Sequence, residues 1–325
     1  MKKSLFLMGL AVAAFTACTN EETIEVADSQ MLSFNGALVG KATKAVTDVT
    51  TETIKEFYVY GGSSTEQTMF NAEKVYESGT PNTWIYDNLK MWTASKTWKF
   101  AAYSNGGVAT ATTTSTVNFD YASEELEITD YNCATEQKDL VVAIAGNASA
   151  LTNSNVPVEF TFEHALSMIK FTIQSDLGDG DNAITISDFK VNGVNGTGDL
   201  TYSSVATTWS NVKTPAVLSN AAEFTTTSSA AGESDQFVVI PQRNVSLNVT
   251  FTATLNNGED VNVTKNLQAT IADQSWTEGY RYNYIATITG ANMDIITFAD
   301  PVVTAWDDTN WSMEGGVDAG DLTNQ

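Results

Sequence analysis

One histidine and two cysteines are all the imidazole and thiol that the 325 residues offer. A structural zinc site draws four ligands, mostly from those two side-chain types, and an activated nucleophile needs a base beside it. His164, in FEHALS (162–167), has no second histidine to work with and reads as structural, so no metal site is expected. Asp176, Asp179 and Asp181 in DLGDGDN (176–182) could gather around calcium, but their spacing is not that of an EF-hand loop, and a hairpin turn is the plainer reading. GALVGKA (36–42) has the glycines and lysine of a phosphate-binding loop. It lacks the four intervening residues and the hydroxyl after the lysine that such a loop needs. No G-x-S-x-G, H-E-x-x-H or C-x-x-C occurs, and nothing singles out a catalytic pair among 39 acids. Neither a cofactor nor an enzyme activity is expected. What remains is aromatic: Trp84, Trp92 and Trp98 crowd TWIYDNLKMWTASKTWKF (83–100). Exposed, they would stack on sugar rings and make an adhesive face; inside, they would fill a core.

The other unusual residue is Cys18. It lies in AAFTACTNEE (13–22), after Lys2, Lys3 and the uncharged run SLFLMGLAVAAF (4–15). That run is shorter than the ~20 apolar residues of a stable helical span, and it has the layout of an export signal. Phe15-Thr16-Ala17-Cys18 resembles a lipoprotein signal, with Phe15 where Leu is usual. A peptidase then cuts before Cys18, whose thiol carries a diacylglycerol; the alternative is an ordinary export signal with an incidental cysteine. Each buried acyl methylene contributes about 0.8 kcal/mol, so several chains together hold a protein on a membrane. Thr19, Asn20, Glu21 and Glu22 resemble the acidic tether of lipoproteins sent to the surface of Gram-negative cells. Only Cys133 is left, which rules out an intramolecular disulfide, and it reads as a small buried residue. The net charge of −23 repels nucleic acid and anionic lipid, so nucleic acid is not an expected partner.

The elements that must position these residues read as strands throughout. VSLNVTFTATL (245–255) and MIKFTIQ (168–174) alternate strictly, as do Tyr280, Tyr282 and Tyr284 against Arg281 and Asn283. A period of two marks half-buried strands of antiparallel sheets. Turn clusters fall at GGSS (61–64), SNGG (104–107), LGDGDN (177–182), VNGVNGTGD (191–199) and LNNGED (255–260). At most SEELEIT (123–129) suggests a helical turn. The length suits two β-sandwich domains. DLVVAIAG (139–146) closes one run of strands and VPVEFTF (156–162) opens the next, which puts the division near residue 155.

VPVEFTFEHALSMIKFTI (156–173), QFVVIPQ (236–242), WTEGYRYNYIATI (276–288) and ITFADPVVTAW (296–306) resemble the fimbrillin family, the Mfa-like group included. These are lipoprotein-secreted subunits of the type V pili of anaerobic Gram-negative bacteria. The resemblance runs from Cys18 to about Trp311 and implies an all-β fold of two tandem transthyretin-like sandwiches behind a lipoprotein signal peptide. The implied layout is a signal at 1–17, a lipidated tether and removable strand at 18–44, domains at 45–155 and 156–311, and a flexible acidic tail at 312–325. It further implies a precursor held at the outer membrane, a protease that removes an N-terminal segment, and polymerisation with other copies or related subunits by strand exchange.

On this sequence the removable strand maps to MLSFNGAL (31–38), with Leu32, Phe34 and Leu38 filling a groove, and the cut to Lys44 first and Lys41 second. The family's cut often follows arginine; here Arg243 and Arg281 lie far downstream, which argues against an arginine-specific protease. Two solvated linker lysines are the alternative. The candidate donor strand, DIITFADPVVTAW (294–306), carries Ile295, Ile296, Phe298, Val302, Val303 and Trp306. It either leaves to complete another subunit or stays in its own domain. Against the pilus subunit stand a lipid-anchored surface adhesin or tip protein that binds host or bacterial glycans without polymerising, and a glycosidase.

Overall fold

In the computed structural model, the residues described are 31–39, 49–50, 53–80, 83–93, 95–105, 115–134, 137–145, 157–177, 183–255, 263–289, 293 and 295–306. All regular structure among them is β. The first sheet is built from β1 (Phe34–Val39), β2 (Glu56–Ser63), β3 (Glu66–Glu77), β4 (Trp84–Ile85), β5 (Trp98–Ser104), β8 (Val141–Ile144) and β9 (Val158–His164). Its order is β1-β9-β8-β5-β2-β3-β4, antiparallel except where β1 runs parallel to β9. The sheet curls until the residues ahead of β1 meet those after β4: Met31 bridges Met91, and the Leu32 amide donates to the Lys90 carbonyl at 2.8 Å. One face of the curled sheet, including Phe57, Phe100, Phe160 and Phe162, encloses an aromatic core.

The second sheet holds β10 (Ser167–Ser175), β14 (Gly232–Glu233), β15 (Phe237–Val239), β18 (Tyr280–Thr289), β19 (Ile295–Phe298) and β20 (Val302–Ala305). Here β10 runs parallel to β18, and β19 and β20 follow one another along the other side of β18. The third holds β6 (Thr116–Asp120), β7 (Glu125–Asn132), β11 (Ile184–Ser203), β12 (Ala206–Ser219), β13 (Phe224–Thr226), β16 (Val245–Leu255) and β17 (Val263–Gln274). Its long strand β11 pairs with β16 at one end and with β7 at the other. The second and third sheets close a sandwich around Phe171, Phe189, Phe251 and Tyr284. The outer face of the first sheet, with Tyr60, Tyr103 and Val142, packs on Leu126, Ile128, Leu200 and Tyr202 of the third.

Several stretches take a different form from the one their pattern suggests. Just after the expected division at residue 155, β9 pairs with β8 in the first sheet, and the chain passes to the second through Ala165 and Leu166. VPVEFTF alternates because one face of β9 lines the aromatic core. VNGVNGTGD is no turn but the middle of the 20-residue β11. Gly193 takes φ +97°, and a Cβ there would lie 2.1 Å from the Ser246 carbonyl oxygen, so the glycine marks a bulge pressed against the next strand. GGSS likewise ends β2, whose register shifts at Gly61. SEELEIT forms a turn and then β7, because Leu126 and Ile128 bury one strand face.

Candidate assembly site at the N-terminal strand

Leu32 and Phe34 are buried, and they occupy the aromatic core as a wedge. Phe34 meets Phe57, Phe70, Tyr86, Phe100 and Phe160 with ring centroids 5.4–6.4 Å away, four of them edge-on and Phe160 stacked. Edge-to-face contacts of this kind add about 0.5–1.5 kcal/mol each beyond burial. β1 is the sheet's edge strand, held by the ladder to β9, with Phe34 opposite Val158 and Leu38 opposite Thr161. Leu38 belongs to β1; its side chain lies outside the described residues.

The seam on the other side is polar and local. Tyr86 donates its hydroxyl proton to the Leu32 carbonyl at 2.9 Å and accepts from the Lys90 amide at 3.1 Å. Burial raises the Tyr86 pKa, which keeps the hydroxyl a donor. Nothing in the sequence pointed to Tyr86 or Lys90 in this role. Around the seam, Met31, Ile85, Leu89 and Met91 are exposed, forming an apolar lip.

Trp84, Trp92 and Trp98 belong to this same core and not to a ligand-facing row. Trp92 and Trp98 are buried and meet edge-on at 4.8 Å, and half-buried Trp84 packs on Phe57 at 5.0 Å. The curl of the sheet turns this stretch inward, so of the two readings Trp92 and Trp98 take that of core residues. Cys18, Lys41 and Lys44 lie outside the described residues.

Downstream of them, the Val49 amide donates to Asp139 Oδ2 at 3.0 Å, and His164 Nδ1 lies 2.8 Å from the same oxygen. Asp139 is fully buried, and His164 stacks on Trp306 at 4.5 Å and 8°. His164 thus ties the start of the folded body to the end of β20. Cys133 is buried, and that burial pushes its thiol up to about 12.

The candidate donor segment is docked within its own sheet. Ile295, Ile296 and Phe298 belong to β19, which pairs with Ala286–Thr289 of β18; Val302 and Val303 belong to β20, which pairs with Tyr280–Asn283. Val303 and Trp306 are buried, while Ile296, Phe298 and Val302 are half-buried. Among the described residues no group of three or more His, Cys, Asp or Glu side chains comes together as for a metal ion.

Among the described residues, then, the chain is β throughout, with an edge strand wedged into an aromatic core. The chain belongs to the fimbrillin-like family, whose pattern matches residues 43–306, and this makes it a fimbrial protein of the cell surface. It is similar in fold to a fimbrial protein from Bacteroides vulgatus ATCC 8482, with 17% identity over 86% of this chain and 99% of that one and a TM-score of 0.58. Weaker likenesses include a putative cell adhesion protein from Bacteroides uniformis ATCC 8492 (17% identity, 85% and 99% covered, TM-score 0.49). Another is the fimbrial anchor protein Mfa2 from Porphyromonas gingivalis (10%, 86% and 97%, TM-score 0.35). No curated protein matches the chain.

Proposed function

We propose that this chain is a structural subunit of a cell-surface fimbria, exported as a lipoprotein on Cys18 and assembled by strand exchange once its N-terminal segment is cut away. The observation that carries the reading is β1 itself: an edge strand with Leu32 and Phe34 buried in the core of a sheet that remains otherwise complete. Removing it would bare the aromatic groove and the unpaired backbone of β9, and such an edge accepts a strand from another chain. The segment that follows β1 holds Lys41 and Lys44, the candidate sites for the processing protease. The partners are then other copies of this chain or related subunits, with the outer membrane as the starting location. In this reading the chain is built from the tandem transthyretin-like domains that the family resemblance implies and acts as scaffold, not catalyst.

A second reading, a lipid-held adhesin that does not polymerise, draws support from the docking of 295–306 along β18. Limited trypsin digestion of the full chain in detergent separates the two, with intact mass and size measured together. Cleavage at Lys44 or Lys41, a resistant body and a ladder of multimers support the subunit. A cut chain that stays monomeric sinks strand exchange.

A further inference from the structure

Far from β1, a cleft of about 560 Å³ opens between the β11–β12 hairpin and the loop that leads into β16. That is within the usual range of small-ligand clefts, about 300–1,000 Å³. Its lining is unusual for this molecule. The chain has 39 acidic residues and a net charge of −23, yet no lining residue is acidic and one, Arg243, is cationic. Arg243 is exposed and makes no ion pair among the described residues.

The walls are fixed by bonds pointing away from the opening. Gln242 donates to the Asn195 carbonyl at 3.0 Å and accepts from the Asn195 amide at 3.2 Å, which locks the loop to β11. Trp209, half-buried, anchors its indole N–H on the Ala165 carbonyl at 2.8 Å, so its ring is held at the cleft wall. Asn244 takes φ +55°, the left-handed turn that follows Arg243 at the mouth. The hydroxyls of Thr207, Thr208 and Ser246 complete the lining. A held aromatic ring with hydroxyls around it suits a sugar ring. The lone guanidinium suits a carboxylate, which it can bind through two parallel hydrogen bonds.

We propose that this cleft binds a carboxylated saccharide, of the uronic or sialic acid kind, with Arg243 on the carboxylate and Trp209 under the ring. The site stands apart from β1, so its fate and that of strand exchange are independent. The full chain in detergent is titrated with glucuronic acid and N-acetylneuraminic acid, with glucose as the neutral match, by calorimetry and saturation-transfer NMR. At least one acidic sugar binds about 10- to 100-fold more tightly than glucose, the scale of a charge-assisted hydrogen bond, and the advantage shrinks as salt is added. Arg243→Gln removes that advantage with an unchanged thermal midpoint, because the side chain is exposed and supports no neighbour. Arg243→Lys recovers part of it. Saturable binding absent for both acids, equal binding of glucose, or full binding by Arg243→Gln overturns the proposal. So does tighter binding of a short peptide through its C-terminal carboxylate.

Discussion

If β1 is a separable wedge, weakening it should open the strand without unfolding the body. Phe34→Ala tests this directly. Phe34 is 4% exposed and surrounded by five aromatic rings, so its truncation leaves a cavity those rings cannot readily fill. Substitutions of this kind cost about 3–5 kcal/mol. Because β1 touches the sheet along one ladder and one short seam, the loss falls first on the equilibrium between the docked and released strand. At about tenfold per 1.4 kcal/mol, release becomes roughly 10²- to 4 × 10³-fold more frequent. Hydrogen exchange followed by mass spectrometry reads it in two peptides of the full chain. The peptide covering 31–39 should exchange faster by that factor, including the Leu32 amide that bonds Lys90. A peptide within β16, in the other sandwich, should not change. Equal acceleration of both peptides would mean that β1 opens only with global unfolding, and the argument for a removable strand would fail. No acceleration of either would mean that Phe34 contributes little, contrary to its packing.

Asp139→Ala should lower stability by about 1–3 kcal/mol for each polar group left buried without its partner, here the Val49 amide and His164 Nδ1; urea denaturation measures it, and a change within 0.5 kcal/mol would count against this junction. Gly193→Ala should destabilise the sandwich by more than about 1 kcal/mol, measured by urea denaturation, because the new Cβ meets a carbonyl oxygen at a positive φ and the entropic gain of replacing glycine is lost. Stability should also fall in alkali. Cys133 is pushed up from 9.0 to about 12 by burial, and Tyr60, Tyr202 and Tyr284 are raised from 10.0, also chiefly by burial. Below pH 9 these groups are protonated whether the chain is folded or not, so their contribution is intact. As pH rises above 9 the unfolded chain ionises first, and the contribution is lost toward 12 and beyond. A thermal midpoint that stays level from pH 8 to 11 would contradict this.

Much of the architecture was legible because strand periodicity reports one buried face. VSLNVTFTATL and MIKFTIQ became β16 and β10, and Leu32 and Phe34 were read as an inward pair before any partner was known. Glycine misled, because a loop and a strand that bulges against its neighbour need the same residue. In VNGVNGTGD the chain continues as β11, and only the approach of the Ser246 carbonyl to Gly193 distinguishes the two. The tryptophans misled for a related reason. Alternation says which side chains share a face, but not whether the sheet curls over that face, so Trp92 and Trp98 read equally well as a sugar platform and as core.

The seam was the least legible part, and physically it matters most for releasing β1. Its contacts join residues 31 and 32 to residues 86–91 through a tyrosine hydroxyl and backbone groups, which have no sequence signature. Burial of Leu32 and Phe34 makes the wedge favourable, but apolar burial alone would hold any strand of similar size. The Tyr86 hydroxyl adds a directional bond at the rim by donating to the Leu32 carbonyl. A replacement strand from another chain can reproduce the ladder to β9 and the wedge in the core. Under the proposed strand exchange, the incoming strand would have to present a carbonyl to Tyr86 or leave that buried hydroxyl unpaired, at a cost of about 1–3 kcal/mol.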